Sequence, residues 1–326
     1  MRVMVAGGAG YIGSHTVKAL RRAGFESLIF DNFSTGRREL VQDQTVVQGD
    51  LMRMEDIRSA LRGSDCKAVM HFASLIRVGE SFRDPQAYYT ANLISSLNLL
   101  RAMLEAGINT FIFSSSAAVY GIPGAIPISE SHPLQPANPY GQTKLMIETI
   151  LQDYSRAYDF RFISLRYFNA AGADPDGDLG ELHEPETHLI PNVLRSLLEK
   201  ERCLEVYGTD FPTPDGTAIR DYIHVTDLAE AHVLALKRLE QGQEGGFINL
   251  GASRGFSVRE VISKAEEITG RTISYREAPR RLGDVPVLLA SKQRAEDWLS
   301  WKLQHSDLET IIHTAWEWHR RRHSAS

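Results

Sequence analysis

Val3-Met4-Val5-Ala6-Gly7-Gly8-Ala9-Gly10-Tyr11-Ile12-Gly13 is the stretch that decides how this chain folds. Its first four residues are apolar with no polar alternation, as expected of a strand buried on both faces. A helical pattern then runs from Ile12 to Ala23 and stops at Gly24, and a second apolar run, Ser27-Leu28-Ile29-Phe30, ends in Asp31. Strand, glycine turn, helix and strand in this order let the backbone approach a pyrophosphate closely, with a helix N-terminus turned toward it. Asp31 lies eighteen residues past Gly13, where an acid at a strand tip bonds a ribose diol and repels a 2′-phosphate. The pattern therefore favours NAD over NADP. Gly8, Gly10 and Gly13 satisfy one dinucleotide spacing, and Gly7, Gly10 and Gly13 satisfy a second; spacing alone does not choose.

Outward from this unit, strand-like and helix-like stretches alternate, which predicts an α/β fold with a doubly wound, mostly parallel sheet. Strands are expected at 45–48, 68–72, 110–113 and 162–165, and helices at 54–61, 86–106 and from Asn138-Pro139 onward. In the 86–106 helix, Leu93, Leu97, Leu100 and Leu104 form the apolar stripe and Gly107 the stop. Asn138 caps the next helix, with proline at its first position. Residues 170–188 and 207–217 are rich in Gly, Pro and acidic residues and read as loops leaving the sheet. Helices follow near 189–200, 226–240, 257–269 and 306–320, the last two opened by the capping boxes Ser257-x-x-Glu260 and Ser306-x-x-Glu309. Phe247 to Leu250 reads as a strand returning to the main sheet. The expected division is a Rossmann NAD-binding domain at 1–169, joined by parts of 220–251, and a smaller C-terminal α/β substrate domain at 170–326.

The composition excludes several classes. A net charge of −5 argues against a nucleic-acid surface. The basic run His319 to His323 reads as cations in solvent at a helix C-terminus. Cys66 and Cys203 form no C-x-x-C, which suits a reducing cytoplasm better than a disulfide framework. No apolar run is long enough to span a bilayer, and the N-terminus enters the first strand directly, without a signal-peptide pattern. A cytoplasmic protein with no membrane or nucleic-acid partner is expected.

Chemistry is expected beyond the carboxyl ends of the strands. Ser114, Ser115 and Ser116 close the strand at 110–113. Tyr140 and Lys144 share one helix face, about 6 Å apart along the axis. A free tyrosine is a phenolate in only about one molecule per thousand at pH 7. A neighbouring ammonium and a nicotinamide cation both favour the anion, and lowering the pKa by ~3 units takes about 4 kcal/mol. A tyrosine tuned in this way removes a hydroxyl proton while hydride leaves the same carbon.

The chain resembles the extended short-chain dehydrogenase/reductases, within them the sugar-nucleotide 4-epimerases, from Met1 to about Arg320. The likeness is carried by Gly7 to His15, Asp31-Asn32, Gly49-Asp50, His71-Phe72-Ala73, Ser114 to Gly121, Asn138 to Lys144, Leu165 to Asn169, Gly216 to Val225 and Arg280 to Asp284. It implies an NAD-dependent isomerase that interconverts UDP-glucose and UDP-galactose through a 4-keto sugar. Tyr140 would be the base, Lys144 would tune it and hold the nicotinamide ribose, and Ser116 would bond the reacting hydroxyl. The resemblance assigns NAD contacts to Gly7, Gly10, Tyr11, Ile12, Gly13, Asn32, Leu51, Phe72, Ala73, Asn92, Ser114, Tyr140, Lys144 and Tyr167. It gives Asp31 the adenosine ribose and Asp50 the adenine. On the UDP-sugar side it assigns Ser116 and Tyr140 to the sugar, and Asn169, Arg220 and Arg281 to the diphosphate. Asp284 takes the uridine ribose and Tyr207 the uracil. It also implies a homodimer through the 86–106 and 139–157 helices.

Departures from the family pattern are Ala6 and Ala118 where threonine is frequent, and Ile76 where lysine is frequent. Leu288, four residues past Asp284, stands where a tyrosine restricts relatives to UDP-glucose and UDP-galactose; its smaller side chain implies room for N-acetyl sugars. Alternatives left open are an epimerase of a UDP-pentose or UDP-uronic acid, and a non-catalytic NAD-sensing regulator, although the latter would be expected to lose Tyr140 or Lys144. A 4,6-dehydratase would need acidic residues where this chain has Ala117-Ala118. His183-Glu184-Pro185-Glu186-Thr187-His188 fits no standard zinc spacing, and Pro185 prevents a regular helical face, so no metal is expected.

Overall fold

Strand β1 (Arg2–Ala6) runs through the centre of the molecule, and Val3, Met4, Val5 and Ala6 have no exposed surface. In the computed structural model, which describes residues 1–199 and 202–325, β1 pairs in parallel with β2 (Glu26–Asp31) on one side and with β4 (Cys66–His71) on the other. Beyond β2 lies β3 (Val46–Gln48), and beyond β4 lie β5 (Thr110–Ser116), β6 (Arg161–Tyr167) and β10 (Gly246–Leu250). Among the described residues this makes a seven-stranded sheet in the order β10-β6-β5-β4-β1-β2-β3, and each of its pairings is parallel. The return of 247–250 to the sheet is as the apolar run predicts.

The absence of alternation in β1 has a direct cause. Val3 and Val5 join one core with Val17 and Leu20 of α1 (Tyr11–Arg22) and Leu228 and Leu236 of α8 (Val225–Glu240). Met4 and Ala6 join the opposite core with Ile57 of α2 (Met54–Leu61), Leu99 and Met103 of α5 (Ser95–Glu105), and Ile147 and Leu151 of α6 (Pro139–Tyr158). Helices cover both faces, so both side-chain rows are apolar. The chain winds outward through β2 and β3, then crosses β1 to build β4, β5 and β6. This reversal between β1 and β4 opens the crevice in which such sheets bind ligands.

The expected 86–106 helix is interrupted. Short helices α3 (Val78–Arg83) and α4 (Pro85–Tyr88) lead into a π-helical turn at Tyr89–Ile94 before α5. The core-facing row is Ser96, Leu99, Leu100 and Met103, whereas Leu97 and Ile94 are exposed. Of the expected stripe, Leu93, Leu100 and Leu104 do pack against the second core, and Leu97 turns outward after the residue a π turn inserts.

One residue past β6 the chain enters a second sheet. There β9 (Ile219–His224) pairs with β7 (Asn169–Ala171), β11 (Gly255–Ser257) and β13 (Val287–Leu288). A separate ribbon joins β8 (Leu204–Tyr207) to β12 (Tyr275–Ala278). Helices α7 (Leu189–Leu198), α9 (Val258–Thr269) and α11 (Leu308–Ala325) share a third core that includes Leu194, Ile262, Ile311 and Trp316. The predicted end of α7 at Lys200 lies outside the described residues. Helix α10 (Gln293–Leu299) packs Ala295 and Leu299 into the first core.

Two local expectations are corrected. Ser257 and Glu260 form a capping box, but Ser306 does not cap α11. Its hydroxyl donates to the buried carboxylate of Asp227 at 2.6 Å, and Asp307 accepts from Thr310 N at 2.8 Å. A buried carboxylate needs donors more than an exposed helix end does. The basic C-terminal run is not merely solvated, because Arg322 pairs with Glu39 at 3.1 Å and lies over Trp318, while His319 is half-buried. No helix among the described residues is long and apolar enough to cross a membrane.

Candidate active site

Gly7 ends β1 with φ +80°, and a Cβ there would lie 2.4 Å from Ala73 N. Only glycine lets the loops after β1 and β4 meet this closely. A Cβ on Gly13 would lie 2.3 Å from Gly7 O. Gly10 is the N-cap of α1, with no side-chain cap and no acid in the first turn. The first-turn N–H groups of α1 have no intrahelical acceptor and form a seat for an anion. The triplet Gly7, Gly10 and Gly13 therefore shapes the turn, while Gly8 sits against the Ile29 side chain.

Asp31 is buried at the tip of β2, where its carboxylate accepts from Ala9 N at 2.9 Å and Phe33 N at 2.8 Å. Burial pushes its pKa up against these two bonds. Asn32 donates to Asp50 at 3.3 Å, and Asp50 also accepts from Met52 N. Leu51 is buried, Phe72 packs 4.9 Å from the His232 ring, and Ala73 N donates to Ala6 O. Ile12 packs at the edge of the first core and Tyr11 donates to Gly172 O at 2.6 Å. The Asn92 side chain clamps Leu75 through both its N–H and C=O and donates to Thr143 Oγ1, so its amide holds the loop after β4.

The N-cap at Asn138, which accepts from Gly141 N, starts α6 so that Tyr140 and Lys144 face the end of β5. Lys144 Nζ donates to Ser114 O at 2.8 Å and lies 5.7 Å from the Tyr140 ring centre. The Ser116 hydroxyl lies close enough to the Tyr140 hydroxyl to act on it. Tyr167, at the end of β6, bonds His232 at 2.9 Å. The expectation that Lys144 depresses the Tyr140 pKa is not met by these residues alone. Burial pushes the Tyr140 hydroxyl up, with Ser116 pulling it partly back. Burial also lowers Lys144 to about 7, against the attraction of Glu148. Both groups lose water in the same cleft, and desolvation disfavours both charged forms.

Across the crevice, Arg220 on β9 donates to Val285 O at 2.8 Å and pairs with Asp284 at 3.4 Å. Arg281 lies 4.0 Å from the Tyr207 ring centre, and the Tyr207 hydroxyl donates to Glu205. Asn169 starts β7 at the junction of the two sheets, and its Oδ1 is buried with no partner among the described residues. Leu288 is partly buried against the cluster of Ala117, Val119, Tyr120 and Ile128, the first three of which follow Ser116. Of the departures, Ala6 is fully buried and Ile76 is exposed, while Ala118 N donates to Ser116 Oγ at 3.2 Å.

Two groups escaped the sequence reading. Glu148, one turn past Lys144, is buried with Arg166 in an ion pair of 2.6 Å and also accepts from Ser115 and Ser164. Arg166 reaches Tyr120, which donates to Asn249 at 2.7 Å. The signal was present, since Tyr140, Lys144 and Glu148 repeat every four residues. The second is the stretch discounted for metal. Glu181, His183, Glu186 and His188 converge through a turn, with no helical face required.

The model of the NAD dependent epimerase/dehydratase family matches residues 3–251. A UDP-glucose 4-epimerase of Lacticaseibacillus casei is 44% identical over 320 residues, 98% of this chain and 97% of its own. The crystal structure of UDP-glucose 4-epimerase from Brucella ovis in complex with NAD superposes with a TM-score of 0.94 at 46% identity, covering 97% of each chain. That of the Bifidobacterium longum enzyme with NAD+ and UDP gives 0.94 at 36% identity, covering 98% of each.

Proposed function

This chain belongs to the NAD dependent epimerase/dehydratase family, and from that premise we infer that it is an NAD-dependent UDP-glucose 4-epimerase. The observation that carries the reading is the meeting of Tyr140, Lys144 and Ser116 at the end of β5, in a chain 44–46% identical to such enzymes over nearly its whole length. The turn fits a dinucleotide, because Gly7 lets the loops after β1 and β4 meet closely and α1 presents an N-terminus with no side-chain cap. Residues 1–169, with parts of 220–251, would hold the NAD, and 170–326 the UDP-sugar.

Bound NAD supplies the acceptor and donor of hydride at the sugar C4. Tyr140 takes the proton of the C4 hydroxyl and returns it, with Ser116 bonding the same oxygen. A cationic ligand beside Tyr140 offsets the burial that holds its proton, and Lys144 strengthens the effect whenever it is charged. Inversion requires the hexose to present either face to this one tyrosine. The grip on the substrate must therefore fall on the nucleotide, not on the sugar. Arg220, Arg281 and Asn169 are the groups for the diphosphate, Asp284 for the uridine ribose, and Tyr207 for the base.

Leu288 supports a wider pocket that also admits UDP-N-acetylglucosamine and UDP-N-acetylgalactosamine. A homodimer is supported by Ile94 and Leu97, apolar side chains exposed side by side on the run from Pro85 to Glu105. The free thiols Cys66 and Cys203 are compatible with a cytoplasmic site of action. The test is to incubate the purified protein with UDP-galactose without added cofactor, separate the products, and then denature it and assay the released dinucleotide. UDP-glucose and NAD are expected. Release of NADP, or no isomer from the folded protein even with NAD added, would overturn the reading.

A further inference from the structure

The geometry points to a zinc site at Glu181, His183, Glu186 and His188, on the segment that leads into α7. Each side chain offers one ligand atom, and the four lie within 4.8 Å of one another. The Nδ1 atoms of both histidines converge on a single oxygen, Glu181 Oε1, that of His183 at 2.8 Å and that of His188 in closer contact. Glu186 Oε1 is 3.6 Å from His188 Nδ1. A tetrahedral zinc with ligands at about 2.0–2.1 Å places its donors about 3.3–3.4 Å apart, so a small adjustment admits the ion at their centre.

The donor set gives a second reason. The Glu181 and Glu186 side chains are only 4% and 2% exposed, and their ion partners among the described residues are the two histidines. Imidazole and carboxylate donors suit zinc, whereas calcium and magnesium prefer oxygen alone. The turn is also held from outside, as metal ligands usually are. Trp318 donates to Glu181 O at 3.3 Å, Arg77 donates to Glu184 O at 3.0 Å, and the Tyr11 ring meets His183 edge-on at 6.3 Å. The bound ion would lock the loop after β7 in the shape that meets Tyr11 of α1 and Trp318 of α11. It would also fix His188, the residue preceding α7. These four side chains would hold zinc whatever reaction the cleft performs.

The test uses the full chain, untagged and purified without chelator. It is incubated with zinc sulfate, desalted, and analysed for zinc by mass spectrometry and for melting temperature with and without EDTA. About one retained zinc per chain, and a fall in melting temperature on the order of 5 °C in EDTA, are expected. Cobalt(II) should bind in its place with the visible absorption of a four-coordinate ion. His183→Gln and Glu186→Gln should each abolish retention, while His313→Gln, at an exposed histidine elsewhere, should not. Should either ligand variant fail to fold, zinc and cobalt binding to the wild type decide. The proposal is overturned if the wild type retains no zinc, or if both ligand variants retain as much as wild type does.

Discussion

On the cofactor side of the cleft, Gly7, Gly10, Gly13 and Asp31 come from one short run and act largely through backbone. Gly7 and Gly13 matter for what they lack, and Asp31 braces the turn through two main-chain N–H groups. On the proposed substrate side, Asn169, Tyr207, Arg220, Arg281 and Asp284 come from four separate segments and offer side-chain charge, amide and ring groups. The first half is a close backbone approach that a single methyl group forces apart. The second is a set of charges that the loss of any one member weakens without closing. Tyr140 and Lys144 stand between them.

Tyr140→Phe removes the proposed proton carrier from this boundary and leaves both halves intact. It should lower kcat by about 10²–10⁴-fold, with UDP-sugar binding and bound NAD unchanged, as measured by steady-state kinetics and cofactor release. Near-normal kcat would show that the boundary lies elsewhere.

Acid tests whether the two halves fail together. His71 and His232 on the cofactor side, and His224 on the substrate side, are buried and hold pKa values near 3, 4 and 3, because desolvation disfavours their charged forms. Unfolded, each titrates near 6.5. The unfolded chain therefore binds more protons between about pH 6.5 and 4, and stability falls with pH through that window. The loss is at most about 1.4 kcal/mol per unit for each histidine. Denaturant melts at pH 7, 6 and 5 should show one common transition moving steadily down, and no change above pH 7 from this cause. Two separate transitions would break the pairing of the halves.

Gly7→Ala tests the cofactor side through backbone alone. The added Cβ meets Ala73 N, and the left-handed φ adds strain of about 1–3 kcal/mol. NAD retention should weaken about five- to a hundredfold, while UDP binding stays within error by calorimetry. Equal loss of both ligands would mean that the halves are not separable.

The smallest effect is expected from Leu288→Tyr on the substrate side. The ratio of kcat/KM for UDP-N-acetylglucosamine over UDP-glucose should drop by about tenfold or more, with UDP-glucose turnover little changed. An unchanged ratio would remove Leu288 from the specificity pocket.

Most of the fold was legible along the chain. The apolar run of β1, the stop at Gly24, the Asn138-Pro139 helix start and the return of Phe247 to Leu250 all obey local rules, because burial on both faces, caps and turns act over a few residues. The π turn at Tyr89–Ile94 was not legible, since an inserted residue leaves a helical pattern intact and only rotates the face of α5 beyond it. Ser306 misled because its pull toward Asp227 comes from 79 residues away.

Within the cleft, sequence by itself determined the groups that repeat at helix or turn spacing: the glycine triplet, Asp31 after it, and Tyr140 with Lys144 on one face. Tertiary structure decided the ionisation of Tyr140 and Lys144, because burial is a property of everything packed around a residue and not of its neighbours in sequence. It also decided the convergence of Glu181, His183, Glu186 and His188. Their spacing matches no regular element, so only the path of the loop between β7 and α7 brings four ligand atoms to one point.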